Sequence, residues 1–379
     1  MKIVIAPDSF KGSLSAKEVA HTIAKAVLEV CPDAETVEIP LADGGEGLVE
    51  VLSEAMDGEL TRCRVTDPLG RPIDAEYILG DGEAFMEMAS PAGLPLLSES
   101  ERNPLRTSTF GVGEMILHAF DHGARKIYIG LGGSATNDGG MGMLKALGYR
   151  LLDTDGKDLK GVGADLEKIV DIDGSEVDSR LENVEFVAAC DVDNPFYGPN
   201  GAAHVFAPQK GADSEMARIL DRGMRSFADV VLRKYGIDLQ TIPGSGAAGG
   251  LGGAFAALLG AKMQHGIEMV LDAVDFDERI KGADLIITGE GSLDRQSLMG
   301  KVLSGVLARA KRLDIPVVAF AGRVADHNAL YDAGLLAAIP IIQSPCTLAE
   351  AMNPSVARTN LTASVSQTLR IWLCALSIY

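Results

Sequence analysis

Several loops of this 379-residue chain combine small residues with charged ones, and the first follows an apolar run at residues 2–7. It covers residues 8–13 and reads D-S-F-K-G-S. Small residues let backbone N–H groups approach an anion, a lysine offsets negative charge, and carboxylates can hold a divalent cation. The residues here that we expect to bind substrate or nucleotide are Asp8, Ser9 and Ser13, with Lys11 as the cation that offsets negative charge. Turns are rich in such residues, so one loop alone leaves a structural role open.

Two further loops of this kind occur at 41–47, L-A-D-G-G-E-G, and at 289–294, G-E-G-S-L-D. Each follows a short apolar run that is typical of a buried strand. In the first of them, Asp43, Gly44 and Gly45 are the candidate binding residues. Three charged loops at strand ends favour a binding site over three unrelated turns.

A longer glycine-rich segment, G-L-G-G-S-A-T-N-D-G-G, spans 130–140 between a strand pattern and a helix pattern. That is where a phosphate cradle belongs, although neither a P-loop nor a G-x-G-x-x-G motif is present. The candidate binding residues of this segment are Gly132, Gly133, Ser134 and Asn137.

The segment C-D-V-D-N-P at 190–195 places Asp191 directly after a predicted strand. Its carboxylate could hold a cation or accept a hydroxyl proton, and an Asx-turn closed by proline is the structural alternative. Lys210 stands in a turn-like A-P-Q-K-G-A segment. For the glycine-rich segment 244–252 we favour close backbone packing or a hinge over ligand binding.

The elements that must position these loops form a β-α-β unit at the N-terminus, in which Ser15 and Glu18 mark the helix start as a capping box. Alternating segments over 61–90 predict antiparallel hairpins. Apolar runs at 284–288, 316–321 and 337–342 predict three more parallel strands, giving five. We predict the flavodoxin-like order 2-1-3-4-5, whose switch point lies between the first and third strands.

The resulting fold class is α/β: a flavodoxin-like, doubly wound parallel sheet, interrupted by a second inserted α/β domain with a mixed sheet. We expect the first domain to be discontinuous, with residues 1–60 and 276–379, and the inserted domain to cover 61–275. The expected active site lies in the cleft between them.

Composition and charge narrow the functional classes. The chain has 53 acidic and 34 basic residues, a net charge of −19, which disfavours binding to nucleic acids and anionic membranes. Its five cysteines form no C-x-x-C pair, and the N-terminus shows no signal-peptide pattern, so we expect a cytoplasmic protein.

Taken in series, the motifs at 8–13, 41–47, 130–140, 190–195, 208–212, 244–252 and 288–294 closely resemble those of the type-1 glycerate kinase family, over residues 1 to about 345. The resemblance implies an ATP-dependent kinase, a transferase that phosphorylates D-glycerate with Mg²⁺. The expected product is 2-phosphoglycerate. It also implies the two-domain α/β architecture described above.

Phosphoryl transfer needs charge neutralisation, a metal ion and a residue that orients the attacking hydroxyl. On residue type and loop position, we expect Lys11 to neutralise phosphate and Asp191 to orient or deprotonate the glycerate hydroxyl. Glu290 and Asp294 are the expected Mg²⁺ ligands, and Asp294 also counts among the expected catalytic residues. The cations that we expect to meet the glycerate carboxylate or the nucleotide are Lys210, Lys301 and Arg323.

Two other functions stay open at this point. The first is a kinase of a related small hydroxy acid, and the second is a non-catalytic sensor of nucleotide or glycerate. The expected partners are small molecules, with no nucleic acid and no membrane, and a homo-oligomer is left open.

Overall fold

The computed structural model describes residues 1–43, 48–55 and 58–376. Within them, strands and helices alternate along most of the chain. The strands are β1 (Lys2–Ile5), β2 (Glu35–Glu38), β3 (Glu59–Thr66), β4 (Pro72–Gly80), β5 (Glu83–Glu87), β6 (Lys126–Gly130), β7 (Arg150–Leu152), β8 (Asp171–Asp173), β9 (Glu185–Ala189), β10 (Lys262–Gln264), β11 (Leu285–Leu293), β12 (Val317–Val324) and β13 (Ala337–Pro340).

The α-helices differ widely in length, from single turns to the 23 residues of the last one. They are α1 (Ala16–Val30), α2 (Leu48–Ala55), α3 (Ala89–Ala92), α4 (Phe110–Asp121), α5 (Met141–Ala146), α6 (Ala202–Phe206), α7 (Ser214–Tyr235), α8 (Ala247–Leu258), α9 (Gly266–Ala273), α10 (Phe276–Arg279), α11 (Val302–Lys311), α12 (His327–Asp332), α13 (Leu348–Ala351) and α14 (Pro354–Leu376). Among the described residues, no helix has both the length and the apolar character that a membrane crossing requires.

The chain divides into two compact units. The first consists of Met1–Asp43, Glu50–Met56 and Gly266–Tyr379, and the second of Gly44–Val49 and Asp57–His265. The first unit is therefore assembled from segments that lie far apart in the sequence.

The first unit contains a five-stranded sheet in the order β13-β12-β11-β1-β2. All four neighbouring pairs are parallel. In chain order this is 2-1-3-4-5, the flavodoxin-like order that we predicted. Parallel strands place their carboxyl ends at one edge of the sheet, so the loops after β1, β11, β12 and β13 share that edge.

Helix α1 covers one face of this sheet, and the local sequence explains its start and its orientation. Ser15 and Glu18 form the predicted capping box. Val19, Ile23 and Val27 recur at helical spacing and are fully buried. They pack in one core cluster with the strand residues and with buried residues of α14.

Strand β11 is longer than the sequence suggested. Residues 289–293 were expected to form a loop after the strand, but they continue it to Leu293. The cause is parallel pairing with β12, in which Glu290 lies beside Ala321 and Ser292 beside Arg323. This pairing fixes Glu290 on a rigid element.

The second unit contains a six-stranded sheet in the order β10-β9-β6-β5-β4-β3. The β3-β4 and β4-β5 pairs are antiparallel, as predicted for 61–90, and the other three pairs are parallel. The sheet is therefore mixed. Strands β7 and β8 form a separate antiparallel pair.

Candidate active site

The loop after β1 places Asp8 inside the first unit and Lys11 at its surface. Asp8 is 8% exposed, and its Oδ1 accepts a hydrogen bond from the Ser9 backbone N–H at 2.6 Å. Burial raises the pKa of Asp8 to about 6, because the charged carboxylate loses water there. Lys11 Nζ lies 3.7 Å from Asp43 Oδ2. The structure thus brings together Lys11 and Asp43, two of the candidate site residues.

Glu290 is a second buried carboxylate in the same unit, 6% exposed. Its Oε1 accepts a hydrogen bond from the Leu303 backbone N–H at 3.1 Å, and its Oε2 accepts one from Ser297 Oγ at 3.0 Å. Burial raises the pKa of Glu290 to about 7, and the negative charge of Asp8 adds to the rise. Carboxylates perturbed in this way are common in active sites, where a bound cation can neutralise them.

Asp294 was predicted to share a metal ion with Glu290. Its Oδ1 accepts a hydrogen bond from the Gln296 backbone N–H at 2.8 Å and caps the short 3₁₀ turn Arg295–Leu298. Within residues 1–43, 48–55 and 58–376, no three His, Cys, Asp or Glu side chains form a group that could hold a metal ion. Mg²⁺ often uses only one or two carboxylates and completes its shell with phosphate oxygens and water.

A cavity of about 700 Å³ opens in the first unit, and we call it the large cavity. Three predicted residues line it: Lys11, Ser13 and Arg323. Much of the remaining lining is apolar, with Phe10 and Ile341 among it. The Ser13 hydroxyl is buried and has no hydrogen-bond partner in the described part of the chain.

The other predicted residues of this unit have different positions. Lys301 precedes helix α11 and is partly buried. Its positive charge acts on Glu290 and opposes the rise of that residue's pKa. Ser9 is partly buried and follows Asp8 in the loop after β1. Gly44 and Gly45 lie outside the described residues.

In the second unit, Lys210 reaches the glycine-rich segment 130–140 from a short 3₁₀ turn. Lys210 is only 1% exposed. Its Nζ donates hydrogen bonds to Ser134 Oγ and to the backbone carbonyl of Thr136, both at 2.7 Å. Burial lowers the pKa of Lys210 to about 7, although the nearby charge of Asp138 acts in the opposite direction. Because both hydrogen-bond partners of Lys210 are neutral, a bound anion would supply the negative charge that balances its ammonium group.

A cavity of about 190 Å³ opens beside Lys210, and we call it the small cavity. It brings together five residues that the sequence predicted: Gly132, Gly133, Ser134, Asp191 and Lys210. Asp191 is exposed, and its Oδ1 lies 3.7 Å from His265 Nδ1. Asn137 is fully buried and does not line the small cavity.

The glycines of 244–252 pack closely against this site. A Cβ on Gly249 would lie 2.2 Å from the carbonyl oxygen of Thr136, so only glycine fits. This approach agrees with the packing role favoured from the sequence. Ala248, however, lines the small cavity with a φ of 51°. A left-handed backbone at a non-glycine residue such as alanine costs energy, and strained residues of this kind cluster at functional sites.

Asp138 organises the site but was not among the predicted residues. Its Oδ2 accepts hydrogen bonds from the Thr109 backbone N–H at 2.7 Å, from Thr109 Oγ1 at 2.8 Å and from the Gly142 backbone N–H at 3.1 Å. Its Oδ1 accepts one from the Gly140 backbone N–H at 3.0 Å. Asp138 is fully buried, which raises its pKa. The signal for it was present, because it is the one carboxylate inside segment 130–140.

The match to known proteins extends over almost the whole chain. Residues 3–373 match the family model described as the glycerate kinase family. The chain belongs to the glycerate kinase family. The resemblance carried by the sequence motifs is therefore confirmed.

Relatives within the glycerate kinase family agree with this assignment. A glycerate kinase of Bacillus cereus (strain ATCC 10987 / NRS 248) is 46% identical over 99% of both chains. A glycerate 2-kinase of Escherichia coli (strain K12) is 46% identical over 93% of both. A crystal structure from Salmonella typhimurium LT2 that carries the name glycerate kinase 2 is 44% identical, with a TM-score of 0.90 over 100% of this chain and 99% of that one.

For a member of the glycerate kinase family, the two cavities offer distinct chemistry. The small cavity has a desolvated lysine, a hydroxyl and an exposed carboxylate. The large cavity has an apolar wall and two exposed cations. The groups of the small cavity suit a small anion with a hydroxyl group, and those of the large cavity suit a larger anionic ligand.

Proposed function

We propose that the protein transfers the γ-phosphoryl group of ATP to D-glycerate and releases ADP and 2-phosphoglycerate. The observation that carries this proposal is the small cavity, where Ser134, Asp191 and the buried Lys210 line about 190 Å³. Pockets for drug-sized ligands measure about 300–1,000 Å³, so this one suits a smaller molecule. The names of the relatives, glycerate kinase and glycerate 2-kinase, support both the acceptor and the position.

We assign the acid-binding roles to the second unit. A lysine ammonium has three N–H donors, and Lys210 uses two of them on Ser134 and Thr136. The third is available for the glycerate carboxylate. Asp191 accepts the proton of the attacking C2 hydroxyl of glycerate. The hydroxyl oxygen forms a bond to the γ-phosphorus, while the bond between that phosphorus and the bridging oxygen of ADP breaks.

We assign the charge-neutralising roles to the first unit. Lys11 meets the transferred phosphoryl group, where its exposed ammonium offsets negative charge. Glu290 and Asp294 remain the proposed Mg²⁺ ligands. Burial raises the pKa of Asp8 as it raises that of Glu290, so Asp8 is a further candidate ligand. Mg²⁺, when bound, neutralises charge on the β- and γ-phosphate oxygens.

We also propose that the reaction takes place in the cytoplasm. Cys31, Cys63, Cys190 and Cys346 form no disulfide. Reduced thiols are typical of that compartment.

The test is ADP release by the purified protein with MgATP and an acceptor acid. We expect turnover with D-glycerate, and a kcat/KM at least about tenfold lower with tartronate and hydroxypyruvate, which alter the group that the small cavity must position. ³¹P NMR should identify 2-phosphoglycerate as the product. Nucleotide binding without turnover of any acid would reject the proposal and favour a sensor, and preference for another acid would favour the related-kinase alternative.

A further inference from the structure

The large cavity of the first unit differs from the small cavity in size by more than threefold, about 700 against 190 Å³. Its volume lies within the range of about 300–1,000 Å³ that is typical of pockets for drug-sized ligands and cofactors. Glycerate would leave most of it empty. A larger ligand therefore fits this cavity better than the acceptor acid does.

The position of the large cavity is that of a ligand site in an open α/β sheet. Its lining includes Phe10 from the loop after β1, Ser292 near the end of β11, Val324 at the end of β12 and Ile341 just after β13. These four positions lie at the carboxyl ends of four parallel strands. Ligands of doubly wound folds bind at that edge, next to the switch point between β1 and β11.

The walls of the large cavity combine apolar surface with a few polar groups. Phe10, Ile341 and Met352 supply apolar contacts, while Lys11 and Arg323 supply positive charge. A flat aromatic ring system matches the apolar part, and anionic groups match the two cations.

Ser13 adds an observation that itself points to a ligand. Ser13 lines the large cavity, and its hydroxyl is buried and has no hydrogen-bond partner in the described part of the chain. Buried polar groups in folded proteins are nearly always hydrogen-bonded. A ligand with polar atoms next to its apolar ring would complete this bond.

We propose that the large cavity binds the adenosine part of ATP, with Lys11 and Arg323 beside the phosphates and Ser13 hydrogen-bonded to the nucleoside. This inference rests on the proposed function, because it takes ATP as the phosphoryl donor. It adds the division of ligands: nucleotide in the first unit, acid in the second.

Two cysteines make the test specific. Cys346 is exposed and lines the large cavity. Cys374 is also exposed, but it lies on α14 and does not line the cavity. The two thiols thus serve as reporter and internal control in one chain.

The full-length protein is treated with limiting N-ethylmaleimide, and modification of each cysteine is followed by peptide mass spectrometry. We expect saturating ADP to slow modification of Cys346 at least about tenfold, and adenosine to slow it less, because adenosine lacks the phosphates that meet the two cations. D-glycerate and tripolyphosphate should have little effect on Cys346, and no ligand should change Cys374. Modification of Cys346 at an unchanged rate in saturating ADP would overturn the inference.

A pair of tryptophan variants tests the same cavity by filling it. Ala351→Trp projects a large side chain into the lining, and Ala333→Trp places one at an exposed position outside it. We expect Ala351→Trp to raise the Kd for ADP at least about tenfold, and Ala333→Trp to leave it within twofold. Equal Kd values for both variants and the wild type would contradict the assignment.

Ser13→Ala separates ligand contact from folding. Because the Ser13 hydroxyl has no protein partner, its removal should leave the unfolding midpoint unchanged and raise the Kd for ADP about fivefold. An unchanged Kd would remove Ser13 from the site.

Calorimetric titration of the wild type with ADP distinguishes failure of the proposed function from failure of the proposed nucleotide site. No ADP binding at all would reject the proposed function. ADP binding that neither protects Cys346 nor responds to Ala351→Trp would reject only the location of the nucleotide.

Discussion

In each unit of the molecule, one cationic side chain is buried among the described residues. The two cations differ in the charge of the groups that they contact. In the first unit, Arg309 Nη2 contacts Glu268 and Asp272, both at 2.6 Å, and its Nη1 contacts Asp277 at 2.9 Å. In the second unit, Lys210 is held by a hydroxyl and a backbone carbonyl. One buried charge meets three carboxylates, and the other meets only neutral oxygens.

The difference separates structure from function. Burial works against the charge of Arg309, but its hydrogen bonds to Asp272 and Glu268 outweigh burial and raise its pKa. For Lys210 the effect of burial is larger than that of the nearby negative charge of Asp138, and its pKa falls to about 7. A cation that is already paired with carboxylates holds elements together, whereas one whose hydrogen-bond partners are all neutral is prepared for an anionic ligand.

The largest effect is expected for Lys210→Met. Loss of a desolvated ammonium that meets the substrate carboxylate should lower kcat/KM for glycerate about 10²- to 10³-fold, equivalent to roughly 3–4 kcal/mol. Steady-state kinetics measure it, with Lys157→Met as the control, because Lys157 is an exposed lysine of the same unit. A fall of less than about fivefold would show that Lys210 is structural.

A smaller effect is expected for Lys11→Ala, because Lys11 is exposed and water screens its charge. We expect kcat to fall about 30- to 100-fold while the KM for glycerate stays within threefold. Lys25→Ala, at an exposed position on α1, is the matched control. If instead the glycerate KM rose and kcat did not change, Lys11 would belong to the acid site.

Arg309→Met should affect stability rather than activity. It leaves three carboxylates without their shared cation, and because these are 35–46% exposed, we expect a loss of about 2 kcal/mol in the free energy of unfolding. Arg312→Met, which removes an exposed partner of Asp277, should cost less than about 0.5 kcal/mol. Urea unfolding measures both. Severe loss of kcat/KM at retained stability would contradict the structural role of Arg309.

The smallest effect is a pH dependence. The pKa of Lys210 lies near 7, below its ordinary value of 10.5, so the free protein loses this charge as the pH rises through about 7. Since the charged form binds the carboxylate, kcat/KM for glycerate should fall up to about tenfold per pH unit above 7. Lys210→Arg should remove this limb from the profile, because arginine stays charged. A profile that is unchanged in Lys210→Arg would assign the limb to another group.

The sequence predicted the framework of both cavities well. Short apolar runs predicted the five parallel strands, the flavodoxin-like fold supplied their order, and alternation over 61–90 predicted the hairpins. These features are local or follow from general rules of sheet topology. The loops after β1 and β6 were found for the same reason, because glycine and charge at a strand end are visible in a few residues.

What the sequence missed depends on contacts between distant segments. Nothing in P-Q-K-G-A indicates that Lys210 is buried or that it bonds Ser134, which lies 76 residues away. The continuation of β11 to Leu293 depends on pairing with β12. Asp138 also owes its role to a distant contact, with Thr109. Burial and pairing of this kind arise only when the chain is folded.

Proton uptake on glycerate binding tests the functional role of Lys210 most directly. At pH 8 a lysine with a pKa near 7 is only about one-tenth charged, and a bound carboxylate should restore the charge. Calorimetric titrations of D-glycerate at pH 8, in buffers of different ionisation enthalpy, should therefore show uptake of roughly 0.9 proton per acid bound, and Lys210→Met should show none. Glycerate binding without proton uptake, or with the same uptake in Lys210→Met, would contradict the account.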